Sequence, residues 1–183
     1  KAASPKMILE YLKEKKKNIE KQELDIKNIL PTLLQFQEQK QEEKEALIFS
    51  GSRGIKTAFT NLVDELKKGE EVHIMGVYDF GEEFLPLAKY FQNIRSHKKI
   101  KAKFLINRSA KEIAKEFKKY PPVEIKFMPE NMLTPAIFLI YKDKVIINLA
   151  KEMTFFVLKS KSVNLAFESY FQMMWKMAKS LKV

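Results

Sequence analysis

Leu12, Ile19, Ile26 and Leu33 recur every seven residues, with Ile8, Ile29 and Phe36 on the adjoining seam. A seven-residue apolar repeat is the spacing at which two helices wind around each other and bury one stripe between them. A helix of this kind has no core of its own. It packs on a second chain or on whatever domain follows it, and a homodimer held by Ile8, Leu12, Ile19, Ile26, Ile29 and Leu33 is the expectation. Lys15 and Gln22 interrupt the seam, which weakens the pairing or restricts its register. Ser4 suits the cap of this helix and Pro5 its first position. Pro31 falls inside the pattern and is expected to kink or restart it. From Gln35 to Glu45 the chain is polar and dominated by Gln and Glu, as at a helix end or linker. Residues 1–45 therefore read as a helical dimerisation arm and linker, and 46–183 as a separate domain.

Beyond residue 45 the pattern alternates. Short apolar runs at 46–49, 72–78, 101–107, 123–128, 135–141, 144–149 and 155–159 read as strands. The stretches 53–68, 82–97, 109–119 and 163–181 have helical spacing. Ile55, Phe59, Leu62, Val63 and Leu66 share one face of the first of these helices, which Gly69 ends. Strands alternating with helices predict an α/β fold with a sheet flanked by helices, and the hairpin about Lys142-Asp143 makes that sheet mixed.

Composition narrows the function. The hydrophobic share of 45% suffices for a core. The longest apolar run, Pro135–Tyr141, stops at Lys142-Asp143-Lys144, far short of the roughly 20 residues of a membrane span, and there is no signal-peptide pattern. With no cysteine, disulfides, thiolate metal sites and cysteine nucleophiles are excluded. A cytoplasmic setting is the expectation. Lys1 in place of methionine suggests a chain lacking its natural N-terminus, or a processed protein.

The net charge of +11 is uneven. Ten bases stand between Arg95 and Lys119 against two acids, Glu112 and Glu116. Such a run is either a solvated lysine-rich surface or an attractor of polyanions. In the second case Arg95, Lys98, Lys99, Lys101 and Lys103 are the candidate nucleic-acid contacts.

Ligands of open α/β sheets gather beyond the carboxyl ends of strands. Gly76, Tyr78 and Asp79 close one strand and Asn107 and Arg108 the next, which makes these five the candidate effector-binding residues. Gly51-Ser52-Arg53-Gly54 lacks the spacing of a phosphate loop and reads as a tight strand-to-helix turn. Two histidines, His73 and His97, and no cysteine make a metal site unexpected; neither carries the signal of a catalytic triad. No cofactor is implied. Phe167, Tyr170, Phe171, Met174, Trp175 and Ala178 recur at helical spacing, as a face closing the core.

Taken in order, these segments resemble the TrmB-type archaeal transcriptional regulators. Lys1-Ala2-Ala3-Ser4-Pro5 with an arm ending Ile29-Leu30-Pro31 is similar to their linker. Phe49-x-Gly51-x-x-Gly54-Ile55 resembles the start of their C-terminal domain. Ile140-Tyr141-Lys142-Asp143-Lys144-Val145 resembles its hairpin, with Lys142 in place of the usual glycine, and Tyr170-Phe171-x-x-x-Trp175 its terminal helix. The resemblance implies a phospholipase D-like domain behind an arm that pairs subunits. It also implies a preceding winged-helix domain that reads DNA and a possible small-molecule effector. The His-x-Lys-x4-Asp signature of active phospholipase D enzymes is missing, since Phe104 stands where His97-Lys98-Lys99 requires Asp. The resemblance therefore implies a sensor or scaffold rather than a hydrolase. The alternatives are a nucleic-acid-binding module working through residues 95–119, or a phosphodiesterase with an unfamiliar site.

Overall fold

The strands feeding the sheet carry apolar side chains to both faces, so the sheet needs cover on both sides. A computed structural model describes residues 6–38, 44–129 and 134–180, with side chains of the first helix described at 8–28 and 30. The chain forms two units, 1–42 and 43–183.

The first unit is a helix, α1 (Lys6–Glu38). At about 1.5 Å per residue it is roughly 50 Å long. Every described side chain on it is exposed, including Ile8, Leu12, Ile19 and Ile26, each more than half so. Ser4 and Pro5 and the side chains of Ile29, Leu33 and Phe36 lie outside the described set. The expected restart at Pro31 does not occur: the helix runs seven residues past it. A proline in a helix removes one backbone hydrogen bond, which a helix of this length retains enough others to absorb.

The second unit holds β1 (Glu45–Ser50), α2 (Gly51–Glu65), β2 (Glu71–Val77), α3 (Leu85–His97), β3 (Lys101–Ile106), α4 (Lys111–Phe117), β4 (Val123–Phe127), β5 (Ile137–Tyr141), β6 (Lys144–Leu149), β7 (Thr154–Lys159), α5 (Lys161–Met177) and β8 (Lys179–Ser180). The sheet order is β1-β7-β6-β5-β2-β3-β4-β8. Strands β2, β3 and β4 are parallel, and the other pairings are antiparallel. The mixed α/β sheet expected from the alternation is therefore present.

One face buries Ile74, Phe104, Ile125, Leu139, Ile146 and Phe155 under α2, α3 and α4. The opposite face buries Met75, Leu105, Ile140 and Val145 under α5 through Phe171. Because the three parallel strands are joined by helices, all their amino ends lie along one edge of the sheet and all their carboxyl ends along the other. The two edges carry different chemistry.

Candidate ligand pocket and basic edge

At the carboxyl edge a cavity of about 460 Å³ opens among Tyr78 and Asp79 after β2, Ser109 after β3, Thr134 and Pro135 before β5, and Leu149, Lys151 and Glu152 at the end of β6. Its wall depends on Gly76. That residue has φ +83, and a Cβ there would stand 2.5 Å from the Thr134 hydroxyl and 2.6 Å from the Ala136 carbonyl. The pairing of β2 with β3 shifts register around the same point. Gly76 is buried and does not line the cavity; its contribution is to let the segment 134–136, which leads into β5, come close.

Tyr78 is half-buried, and burial pushes its phenol up from the ordinary value against a hydrogen bond from the Lys151 backbone; nearby Glu152 adds to the rise. The Lys151 ammonium lies 6.0 Å from the Tyr78 ring centre. Asp79 accepts from the Gly81 N–H at 3.2 Å. Asn107 accepts from the Ser109 N–H at 2.9 Å, so it fixes the loop that presents Ser109. Of the five expected residues, Tyr78 and Asp79 line the cavity, while Asn107 and Arg108 do not. Thr134, Lys151 and Glu152 gave no sequence signal, because an antiparallel hairpin inserted beside β2 brings them there.

The lining offers three hydroxyls, two carboxylates and one ammonium. Such a set holds a small polar ligand by hydrogen bonds and does not suit a strongly anionic one. Neither histidine lines it. His97 ends α3 at the amino end of β3, its Nδ1 2.9 Å from the Asn93 carbonyl oxygen, so the His97-Lys98-Lys99 stretch lies at the other edge. Among the described residues no three histidine or carboxylate side chains converge as a metal-binding group.

His73 belongs to a separate polar centre under α5. Its Nε2 is 2.6 Å from Glu71 and its Nδ1 2.7 Å from Glu168 of α5. The ring stacks on Phe171 at 4.3 Å, and Phe171 stacks on Trp175. Lys103 donates to Glu71 at 2.9 Å, and Lys126 lies 4.5 Å from the Trp175 ring centre. Burial works to raise the Glu71 carboxyl, but the hydrogen bonds from Lys103 and His73 outweigh it and hold the group below its ordinary value.

The run of bases from 95 to 119 divides on folding. Arg95, expected on a nucleic-acid surface, is fully buried. Its five N–H groups make five hydrogen bonds: two to Gln92 and one each to the Ile100, Pro122 and Tyr120 carbonyls, at 2.6–3.1 Å. Burial pushes its guanidinium down to about 10. It is a brace between α3 and the chain entering β3 and β4, with no donor left for a phosphate. Lys103 is likewise engaged with Glu71. Lys98 is half-buried and donates to the Val63 carbonyl at 2.7 Å. Lys99 and Lys101 are exposed.

No family profile matches the sequence, and no curated protein matches it. Solved structures do match. Nuc from Salmonella typhimurium, a phospholipase D family member, aligns with a TM-score of 0.57 at 13% identity, over 77% of this chain and 100% of that one. The domain has a phospholipase D-like fold. NucT from Helicobacter pylori aligns at TM-score 0.50 and 16% identity, over 76% of this chain and all of that one. TrmBL2, an archaeal chromatin protein with a novel mode of DNA binding, aligns at TM-score 0.52 and 15% identity, over 96% of this chain and 69% of that one. Among the described residues no helix is long and apolar enough to cross a membrane.

Proposed function

We propose that the chain is the dimerising, ligand-sensing and non-catalytic part of a TrmB-type DNA-binding regulator. The observation that carries the reading is α1: a 33-residue helix whose described side chains are all exposed and whose apolar residues keep a seven-residue spacing. A second α1 is the surface that matches such a seam. The likeness to TrmBL2 supports the reading because it extends over 96% of the chain, arm included. The carboxyl-edge cavity supports the sensing role, since its lining hydrogen-bonds without supplying a histidine base. In this reading the arms set the distance between two DNA-reading heads contributed by a preceding winged-helix domain. A ligand with different affinity for two arm arrangements shifts that distance.

The absence of cysteine makes a direct test simple. Ile19→Cys places a thiol on the seam, and Lys17→Cys places one on the outward side of the same helix. Mild oxidation is expected to convert the Ile19→Cys chain to a covalent dimer and to leave Lys17→Cys largely monomeric on denaturing gels. Equal cross-linking of the two, or none in either, would count against a paired seam. Hydrolysis of a generic phosphodiester such as bis(p-nitrophenyl) phosphate at a rate reduced by Tyr78→Phe would contradict the non-catalytic part.

A further inference from the structure

Each of the three helices on one face of the sheet runs into a Lys-Lys pair: Lys67-Lys68 after α2, Lys98-Lys99 after α3 and Lys118-Lys119 after α4. Each pair leads into the amino end of the next strand, and those strands, β2, β3 and β4, are parallel neighbours. The pairs therefore lie side by side along the amino edge, opposite the cavity. Lys101 opens β3 on the same edge, and Lys142 in the β5–β6 turn and Lys144 just after it stand there too. With strands about 4.8 Å apart, the three pairs span roughly 10 Å, close to the axial rise of about three base pairs of duplex.

The acids of this edge are mostly neutralised from within. Asp64, Glu65, Glu70, Glu71 and Glu116 are held by Lys98, Lys144, Lys142, Lys103 and Lys119; Glu45, Glu124 and Asp143 also stand on this edge among the described residues. Lys68, Lys99, Lys101 and Lys118 are exposed, and among the described residues their ammonium groups have neither a carboxylate nor a hydrogen-bond partner. A lysine in the last turn of a helix complements the helix dipole, which explains one base per helix and not a repeated pair. Lys99 has φ +58 and Lys142 φ +47, left-handed positions that ordinarily favour glycine or asparagine. On this edge both are lysine.

We propose that the amino edge is a docking surface for the phosphate backbone of duplex DNA, formed by Lys68, Lys99, Lys101 and Lys118. Among the described residues, the aromatic side chain next to these lysines, Tyr120 after Lys119, is half-buried and offers no open platform for stacking unpaired bases. The edge's arginine, Arg95, is buried and unable to read base edges. The contact is therefore to backbone and indifferent to sequence. It depends on neither the cavity nor a ligand, and it gives the domain a hold on DNA separate from any winged helix.

The test uses the full chain and two fluorescein-labelled 30-base-pair duplexes of unrelated sequence, with anisotropy read between 50 and 200 mM salt. The edge variant K68Q/K99Q/K101Q/K118Q is compared with K56Q/K111Q/K176Q/K179Q, which removes as many charges from the carboxyl side of the domain. Wild type is expected to bind both duplexes equally and to weaken steeply with salt. The edge variant is expected to bind at least tenfold more weakly, with a salt slope shallower by about 3.6, four contacts at roughly 0.9 each. The matched variant should change less than threefold. Equal losses in the two variants, an unchanged edge variant, no salt-dependent binding at 50 mM, or preference for single strands or phosphatidylglycerol vesicles over duplex would each overturn the proposal.

Discussion

Arg95 shows how far a local sequence pattern can mislead. In the sequence it is the first of ten bases in 25 positions, and neighbouring lysines make it look like surface. Its burial is set by three carbonyl groups, of Ile100, Tyr120 and Pro122, which folding brings around it. No periodicity in the chain announces them. Truncation to Arg95→Ala leaves those carbonyls and the Gln92 amide facing an unfilled space. A loss of about 3 kcal/mol or more is expected, as when one side of a buried polar network is removed, read as a drop in the urea midpoint with unchanged slope. The domain's affinity for duplex DNA per folded molecule should not change, which separates Arg95 from the lysines around it. Tyr78 and Asp79 were legible for a better reason. They follow a strand, and the carboxyl end of a parallel strand is where ligands sit whatever the side chains are. Thr134, Lys151 and Glu152 were not, because their place depends on β5 joining β2 antiparallel, a pairing that no local pattern encodes.

At the scale of elements, alternation predicted all seven longer strands and the domain's helices to within a few residues. Hydrophobic period is a local property that tertiary packing rarely overrides in long segments. What it missed is non-local. The terminal helix was expected to reach Leu181 but ends at Met177, and Lys179–Ser180 pairs with β4 instead. The attachment of α5 to the sheet was equally hidden. His73 of β2 is clasped between Glu71 and Glu168, residues 95 positions apart in the second contact. Glu71, bonded to both His73 and Lys103, is held below its ordinary value, so it binds fewer protons folded than unfolded. Its contribution is then present above the unfolded value near 4.5 and is lost as pH falls through the lower folded value. Glu71→Gln should cost about 2 kcal/mol at pH 7, the scale of hydrogen bonds to a charged group. The gap from wild type should narrow as the solution is acidified towards pH 3. Thermal melts across that range check it: a gap that is constant with pH would assign the loss to packing alone.

For the molecule as a whole, the domain and the arm carry different surfaces. The parallel strands put a hydroxyl- and carboxylate-lined cavity at one edge and a row of lysines at the other, while α1 offers an apolar stripe for which every described side chain is exposed. The account turns on that stripe being paired. The most direct measurement is the solution mass of the chain by light scattering, at micromolar concentration, beside the variant L12D/I19D/I26D. The account predicts twice the 21.5 kDa chain mass for the wild type and a single chain for the variant, with the domain's melting transition unmoved between them. A monomeric wild type, or a variant that stays dimeric, would contradict it.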